Sequence, residues 1–135
     1  MIDQAVVSQL MDSLRHNVRL LWKHAAVSQE EFFGDETIQY GAKRALQLAL
    51  QSVIGISDHL IGDRHPRVDL LSELEVIPKR FSPTMRRMVG MRNILVKRYQ
   101  IIELAQIYNA LQCDLGQFDE FAGYIVEYLE KEGIA

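Results

Sequence analysis

Arg92 and Lys97 stand five positions apart in a stretch, Met88 to Tyr99, that reads MVGMRNILVKRY. A guanidinium and an ammonium held this near one another are groups that receive a phosphate oxyanion. The charge around them is one-sided. Lys79, Arg80, Arg86, Arg87, Arg92, Lys97 and Arg98 put seven of the fifteen basic residues into twenty consecutive positions with no carboxylate among them. The other eight basic residues share the remaining chain with all eighteen carboxylates, about ten charges negative, although the whole molecule carries only −3. Positive charge confined to one segment of a mildly acidic protein points to a local anion site, not to a surface that coats nucleic acid.

The rest of the composition excludes more than it proposes. A chain of 135 residues forms one domain, spanning residues 1–135, with a core large enough to need no staples. Cys113 is the only cysteine, so no intrachain disulfide forms and a reducing cytoplasm is the expected compartment. Four scattered histidines and that cysteine make no zinc spacing, and no metal or cofactor is expected. No apolar run approaches the eighteen or so residues of a membrane span. The N-terminal MIDQAVVSQLMDSL has polar residues through its apolar positions and reads as neither a secretory nor a transit sequence.

The elements that must position Arg92 and Lys97 are helical. Val6, Leu10, Leu14, Val18 and Leu21 give helical periodicity from Asp3 to about Ala26. Ser28-Gln29-Glu30-Glu31 is a capping box opening a short turn, and Asp35 can cap the next helix, which Gly62 ends. Gly41, Ala42, Ala45 and Ala49 make one side of that helix small enough for close approach by another. A short helix is predicted from Asp69 to Val76, stopped by Pro78; the next starts at Pro78 or at Ser82-Pro83 and is helical from Met85 to about Lys97. The cleanest period, Leu104, Ile107, Leu111, Leu115, Phe118, Ala122, Ile125 and Leu129, predicts one long last helix from Glu103. The fold class is therefore all-α, an antiparallel up-and-down bundle without strands.

On the helix that carries the basic stretch, Met85, Met88, Arg92, Val96 and Tyr99 share a face, so Arg92 interrupts an apolar stripe. A half-buried guanidinium must be answered, either by a carboxylate such as Asp58 or by an incoming phosphate. Lys97 can bind phosphate and can act as an acid. To act as a base, a lysine must fall far below its usual pKa of about 10.4. His59, beside Asp58 late in the second long helix, is the best alternative proton handler; its plainer reading is a histidine satisfied by a neighbouring backbone group. His16, His24 and His65 are given no role.

Arg92-Asn93-Ile94-Leu95-Val96-Lys97-Arg98-Tyr99 resembles the signature of the HEPN superfamily and its short HepT-like toxins: Arg, a polar residue, a spacer, His, any residue, Tyr. Lys97 stands where that family has its His. The resemblance extends through Phe32 and Asp35, Arg44 to Gln47, Ile56 to Ile61, Pro78, Met88-Val89-Gly90, Ile102 and Tyr108. It implies a HEPN-like dimer that cuts RNA without metal, using the ribose 2′-hydroxyl as nucleophile and leaving a cyclic phosphate. Arg92, Asn93, Lys97 and His59 would be the candidate catalytic residues, and acid-base help at such a site contributes on the order of a hundred- to ten-thousand-fold. The resemblance also implies a toxin-antitoxin pair in which an MntA-type nucleotidyltransferase antitoxin adenylylates Tyr99. The competing reading is a non-catalytic HEPN dimer that binds a nucleotide or RNA and regulates a nucleotidyltransferase, which the exchange of His for Lys favours. A bundle with a purely structural role ranks last.

Overall fold

The computed structural model describes residues 2–62, 68–97 and 102–133, and these are helices and connections with no strand. The order is α1 (Gln4–Ala25), α2 (Gln29–Gly34), α3 (Glu36–Ile61), α4 (Val68–Glu73), a 3-10 turn (Lys79–Phe81), α5 (Ser82–Lys97), α6 (Leu104–Cys113) and α7 (Gly116–Lys131).

Local chemistry starts and stops the first helices as the sequence implies. The Asp3 carboxylate accepts from the amides of Ala5 and Val6, Ser28 Oγ from Glu31, and the Asp35 carboxylate from Thr37 and Ile38. These satisfy amides that a helix start leaves without intrahelical partners. Gly62 closes α3 at φ 68°, a left-handed position suited to glycine, and donates its N–H to the Asp58 carbonyl.

α1 and α3 form an antiparallel pair at the centre. Asp3 meets His59, Leu10 lies on Gly55, Ser13 on Ser52, and His24 on Gly41. A Cβ at Gly41 would stand 3.1 Å from the His24 ring, so this closest approach depends on the missing side chain. Ala42, Ala45 and Ala49 are buried along the same helix, as expected of its small side. The core is continuous and includes Leu14, Leu21, Phe32, Leu50, Ile56, Leu71, Met85, Leu95, Ile107, Phe121 and Ile125. The family of buried aliphatic and aromatic side chains supplies the main drive for folding.

Two expectations are corrected. The last helix is not continuous: α6 ends at Cys113 and α7 begins at Gly116. Asp114 and Leu115 keep right-handed helical dihedrals, but Gln117 and Phe118 donate to carbonyls only three residues back. Asp and Gly, both poor helix formers, flank the tightened turn. Likewise α4 stops at Glu73, short of Val76 and before Pro78 can act. Its stop is Glu75 at φ 60°: the Glu75 amide donates to Ser72, and the Val76 amide reaches back to Leu71. That is a Schellman ending, with Val76 and Leu71 buried as its apolar contact.

Candidate functional site

α5 begins right after the 3-10 turn, with Pro83 as its second residue. Pro78 precedes the turn, so both prolines sit where a missing amide costs no helical bond. Met85, Met88 and Leu95 bury one side of α5. This corrects the expected stripe at its far end, because Val96 is 45% exposed and Leu95 is 1% exposed. Arg92 lies on the same side as Met85 and Met88 and is half-buried.

The Arg92 Nε atom is enclosed and has no hydrogen-bond partner. Among the described residues no carboxylate pairs with it, so the expected alternative of a structural salt bridge to Asp58 is not formed. An enclosed guanidinium donor without a partner is costly, by about 1–3 kcal/mol, and an incoming anion would relieve it. Asn93 is half-buried and Lys97 exposed. With about 100° per residue, Arg92 and Lys97 point roughly 140° apart, and Asn93 falls between them. One chain therefore offers an edge with a cation on each side, rather than a closed recess holding both.

His59 lies elsewhere. Its Nε2 accepts the Asp3 amide at 2.8 Å, which puts its proton on Nδ1 and ties it to the start of α1. Helix directions show how far that is from Arg92. Leu46 and Leu50 of α3 share a recess with Arg87, Met88 and Met91 of α5 and Phe118 of α7. Phe81, just before α5, stacks on Tyr124, so α5 runs antiparallel to α7. Val126 and Leu129 reach Gln4 to Met11, the part of α1 paired with the end of α3, so α7 runs with α3. Hence α5 runs against α3, and from their shared recess His59 and Arg92 diverge by on the order of 20 Å at 1.5 Å per residue. The bundle does not bring His59 to Arg92 within one chain. The sequence-level alternative, a histidine satisfied by a backbone group, describes what is seen.

Tyr99 and Arg98 lie outside the described residues. Ile94, 38% exposed, and Val96 leave aliphatic surface on this part of α5, Val96 between Arg92 and Asn93 and Ile94 beyond Lys97. No group of three or more metal-binding side chains occurs among the described residues, and none of the described helices is long and apolar enough to cross a membrane.

Comparison with known proteins gives one family match, described as "Ribonuclease HepT-like" and covering residues 14–125. Two characterised relatives are a tRNA nuclease HepT of Aphanizomenon flos-aquae, 23% identical over 95% of this chain and 92% of its own, and an mRNA nuclease HepT of Shewanella oneidensis, 29% identical over 70% and 77%. A solved structure of a tri-AMPylated Shewanella oneidensis HEPN toxin with an MNT antitoxin superposes with a TM-score of 0.79 at 23% identity, covering 94% of this chain and 99% of that one. A cytosolic protein of unknown function, YutE of Bacillus subtilis, gives 0.81 at 18% identity over 99% and 95%. Both share the fold.

Proposed function

Since the chain belongs to the HepT-like ribonuclease family through residues 14–125, we propose that it is the toxin of a toxin-antitoxin pair, an endoribonuclease held in check by a nucleotidyltransferase. The observation that carries the reading is Arg92: a half-buried guanidinium on the basic helix α5, its Nε enclosed and unanswered. RNA supplies the missing anion. In cleavage by the ribose 2′-hydroxyl, the phosphorus gains a fifth oxygen and negative charge gathers on its equatorial oxygens. A preformed cation that is already desolvated stabilises that state more than it stabilises the ground state. Arg92 takes this role. Lys97 at the other side of the edge protonates the departing 5′-oxygen while a non-bridging phosphate oxygen of the RNA takes the proton of the attacking 2′-hydroxyl and passes it on to solvent, from which Lys97 is reprotonated; Asn93 between them donates a hydrogen bond.

Two copies working together fit the divergence of Arg92 and Lys97 better than one. A second protomer laid over Ile94 and Val96 would bury exposed aliphatic surface and set one copy's Lys97 against the other's Arg92. The Shewanella toxin is tri-AMPylated in complex with its MNT antitoxin; here Tyr99 is the proposed acceptor of adenylate from an MntA-type partner. Its proposed compartment is the cytoplasm.

The test is cleavage of single-stranded RNA by purified protein freed of any partner. Cleavage that Arg92→Ala abolishes supports the enzyme. Intact RNA, together with no slowing of growth on expression, refutes it. A second reading has its own support in Lys97 and in the remoteness of His59: a HEPN dimer that binds RNA or nucleotide without cutting and regulates the nucleotidyltransferase. Cleavage appearing only in Lys97→His establishes that second reading.

A further inference from the structure

Between residues 72–80 and the second half of α7 lies a groove of about 440 Å³. It shares Ser72 and Lys79 with a neighbouring groove of about 510 Å³ that reaches Arg86 on α5. Tyr124 and Tyr128, one helical turn apart, form one wall, and Lys79, Arg80 and Lys131 place cations around it. Tyr124 is fixed: its ring packs edge-on against Phe81, and its hydroxyl donates to Glu120 and accepts from Arg80. Both tyrosines are held protonated, Tyr124 chiefly by its hydrogen bond to Glu120 and Tyr128 by burial.

Glu75 is the unexpected member. It is exposed, its carboxylate makes no hydrogen bond among the described residues, and it occupies the left-handed position that closes α4. Glycine belongs there; a side chain costs roughly 1–2 kcal/mol. Among the described residues it is the only non-glycine at positive φ, and strain of that kind collects at binding sites. With Glu127 it puts two carboxylates beside three cations. Such a groove is poorly suited to a bare phosphate, whose charge the carboxylates oppose. It suits a ligand that presents an aromatic face, amino donors and an anion together, which describes a nucleotide: rings stack on it, carboxylates accept from its base, and cations hold its phosphate. The volume lies in the range of small-ligand sites.

The groove is also connected to Arg92. Arg86, Gly90, Asn93 and Lys97 follow one another at steps of four, three and four along the outer face of α5, a line of about 16 Å. Gly90 is exposed, and a Cβ there would meet nothing within 4 Å, so the helix backbone is bare midway along that line. We propose that the groove of Tyr124, Tyr128, Lys79, Arg80, Lys131 and Glu75 is a second nucleotide site, holding a base and phosphate of the same RNA strand that passes Arg92, with the strand following the outer face of α5 between them. This rests on the reading of the chain as an RNA-binding protein.

A 2′-O-methyl dinucleotide and an uncleavable 2′-O-methyl oligonucleotide of about twelve nucleotides test it by fluorescence anisotropy, since the dinucleotide is far shorter than the α5 line. The wild type binds the longer probe more tightly. Tyr128→Ala weakens that probe roughly five- to a hundred-fold, the range of a lost stacked base, and Lys131→Glu weakens it in the same sense, while both leave the shorter probe unchanged. Lys131 is exposed, so its variant keeps the fold even where Tyr128→Ala does not. Two outcomes overturn the proposal while leaving RNA binding intact: no effect of Lys131→Glu on the longer probe, or equal losses for both lengths. Failure of the wild type to bind either probe overturns the proposal together with the RNA reading beneath it.

Discussion

Replacing Glu75 by glycine should make the protein more stable while damaging the groove. At φ 60° the Glu75 Cβ crowds its own backbone at roughly 1–2 kcal/mol. Glycine removes that cost but brings about 0.5–1 kcal/mol of extra chain freedom to the unfolded state. The side chain is exposed and without a hydrogen bond among the described residues, so little packing is lost. The balance is a gain of about 0.5–1 kcal/mol, or about 2–4 °C in Tm for a chain of this size. Glu75→Ala is the control, because it discards the carboxylate and keeps the Cβ. It should match the wild type to within about 0.5 kcal/mol. Urea midpoints of the three proteins measure both differences, and oligonucleotide binding of the same samples measures the groove. Glu75→Gly less stable than Glu75→Ala would refute the assignment of strain. Equal loss of long-probe affinity in both variants, with a gain in stability in Glu75→Gly alone, would show that the carboxylate is retained at the expense of the fold.

The remaining predictions are shorter. Burial lowers the pKa of His24 below 6.5, so the unfolded chain binds the proton more readily and His24's contribution, full above about pH 6.5, is lost as pH falls through the lowered value; urea unfolding at about pH 7.5 and about pH 5.5 should show this fall, and His24→Gln should reduce it. Ala49, with no exposed surface on α3, should not accept bulk: Ala49→Leu is expected to cost about 1–3 kcal/mol by overpacking, seen as a lower urea midpoint. Gly90→Ala should raise protomer stability by about 1 kcal/mol, since alanine is the better helix former and its methyl meets open space. The same variant should weaken the longer oligonucleotide probe, because the strand passes over the bare backbone. Intact mass of protein co-expressed with an MntA-type nucleotidyltransferase should show added adenylate, lost in Tyr99→Phe.

What could be read in the sequence was what neighbouring residues settle among themselves. Ser28, Asp35 and Gly62 act on amides or carbonyls within four residues, so their types and places were enough. Glu75 could not be found that way, because nothing in a glutamate announces a left-handed dihedral, and the nearby Pro78 offered a plausible stop. The break between α6 and α7 was hidden for the opposite reason. Asp114 and Leu115 stay helical in φ and ψ, so Leu111, Leu115 and Phe118 keep the phase of one unbroken helix and remain buried. The exchange of Val96 for Leu95 on the buried side arises because α5 packs on several neighbours, and one helical wheel does not say which of them lies nearest each turn.

The placement of His59 required knowledge that no local pattern holds. Its own helix and cap were correctly anticipated, yet its distance from Arg92 depends on α5 running against α3, a relation set by Phe81 on Tyr124 and by Val126 and Leu129 on α1. Once those directions are known, proton transfer in a single chain loses its best histidine, and the proposed cleavage at Arg92 has to draw on Lys97, on a second protomer, or on the RNA itself. These sources differ in a measurable way. If a second protomer contributes, mixing inactive Arg92→Ala with inactive Lys97→Ala should restore cleavage, because a heterodimer with crossed sites retains one intact Arg92 facing one intact Lys97. If each chain works alone, the mixture stays inactive at every ratio, and the roughly 140° between the two side chains must be bridged by the substrate's own phosphate lying over Asn93.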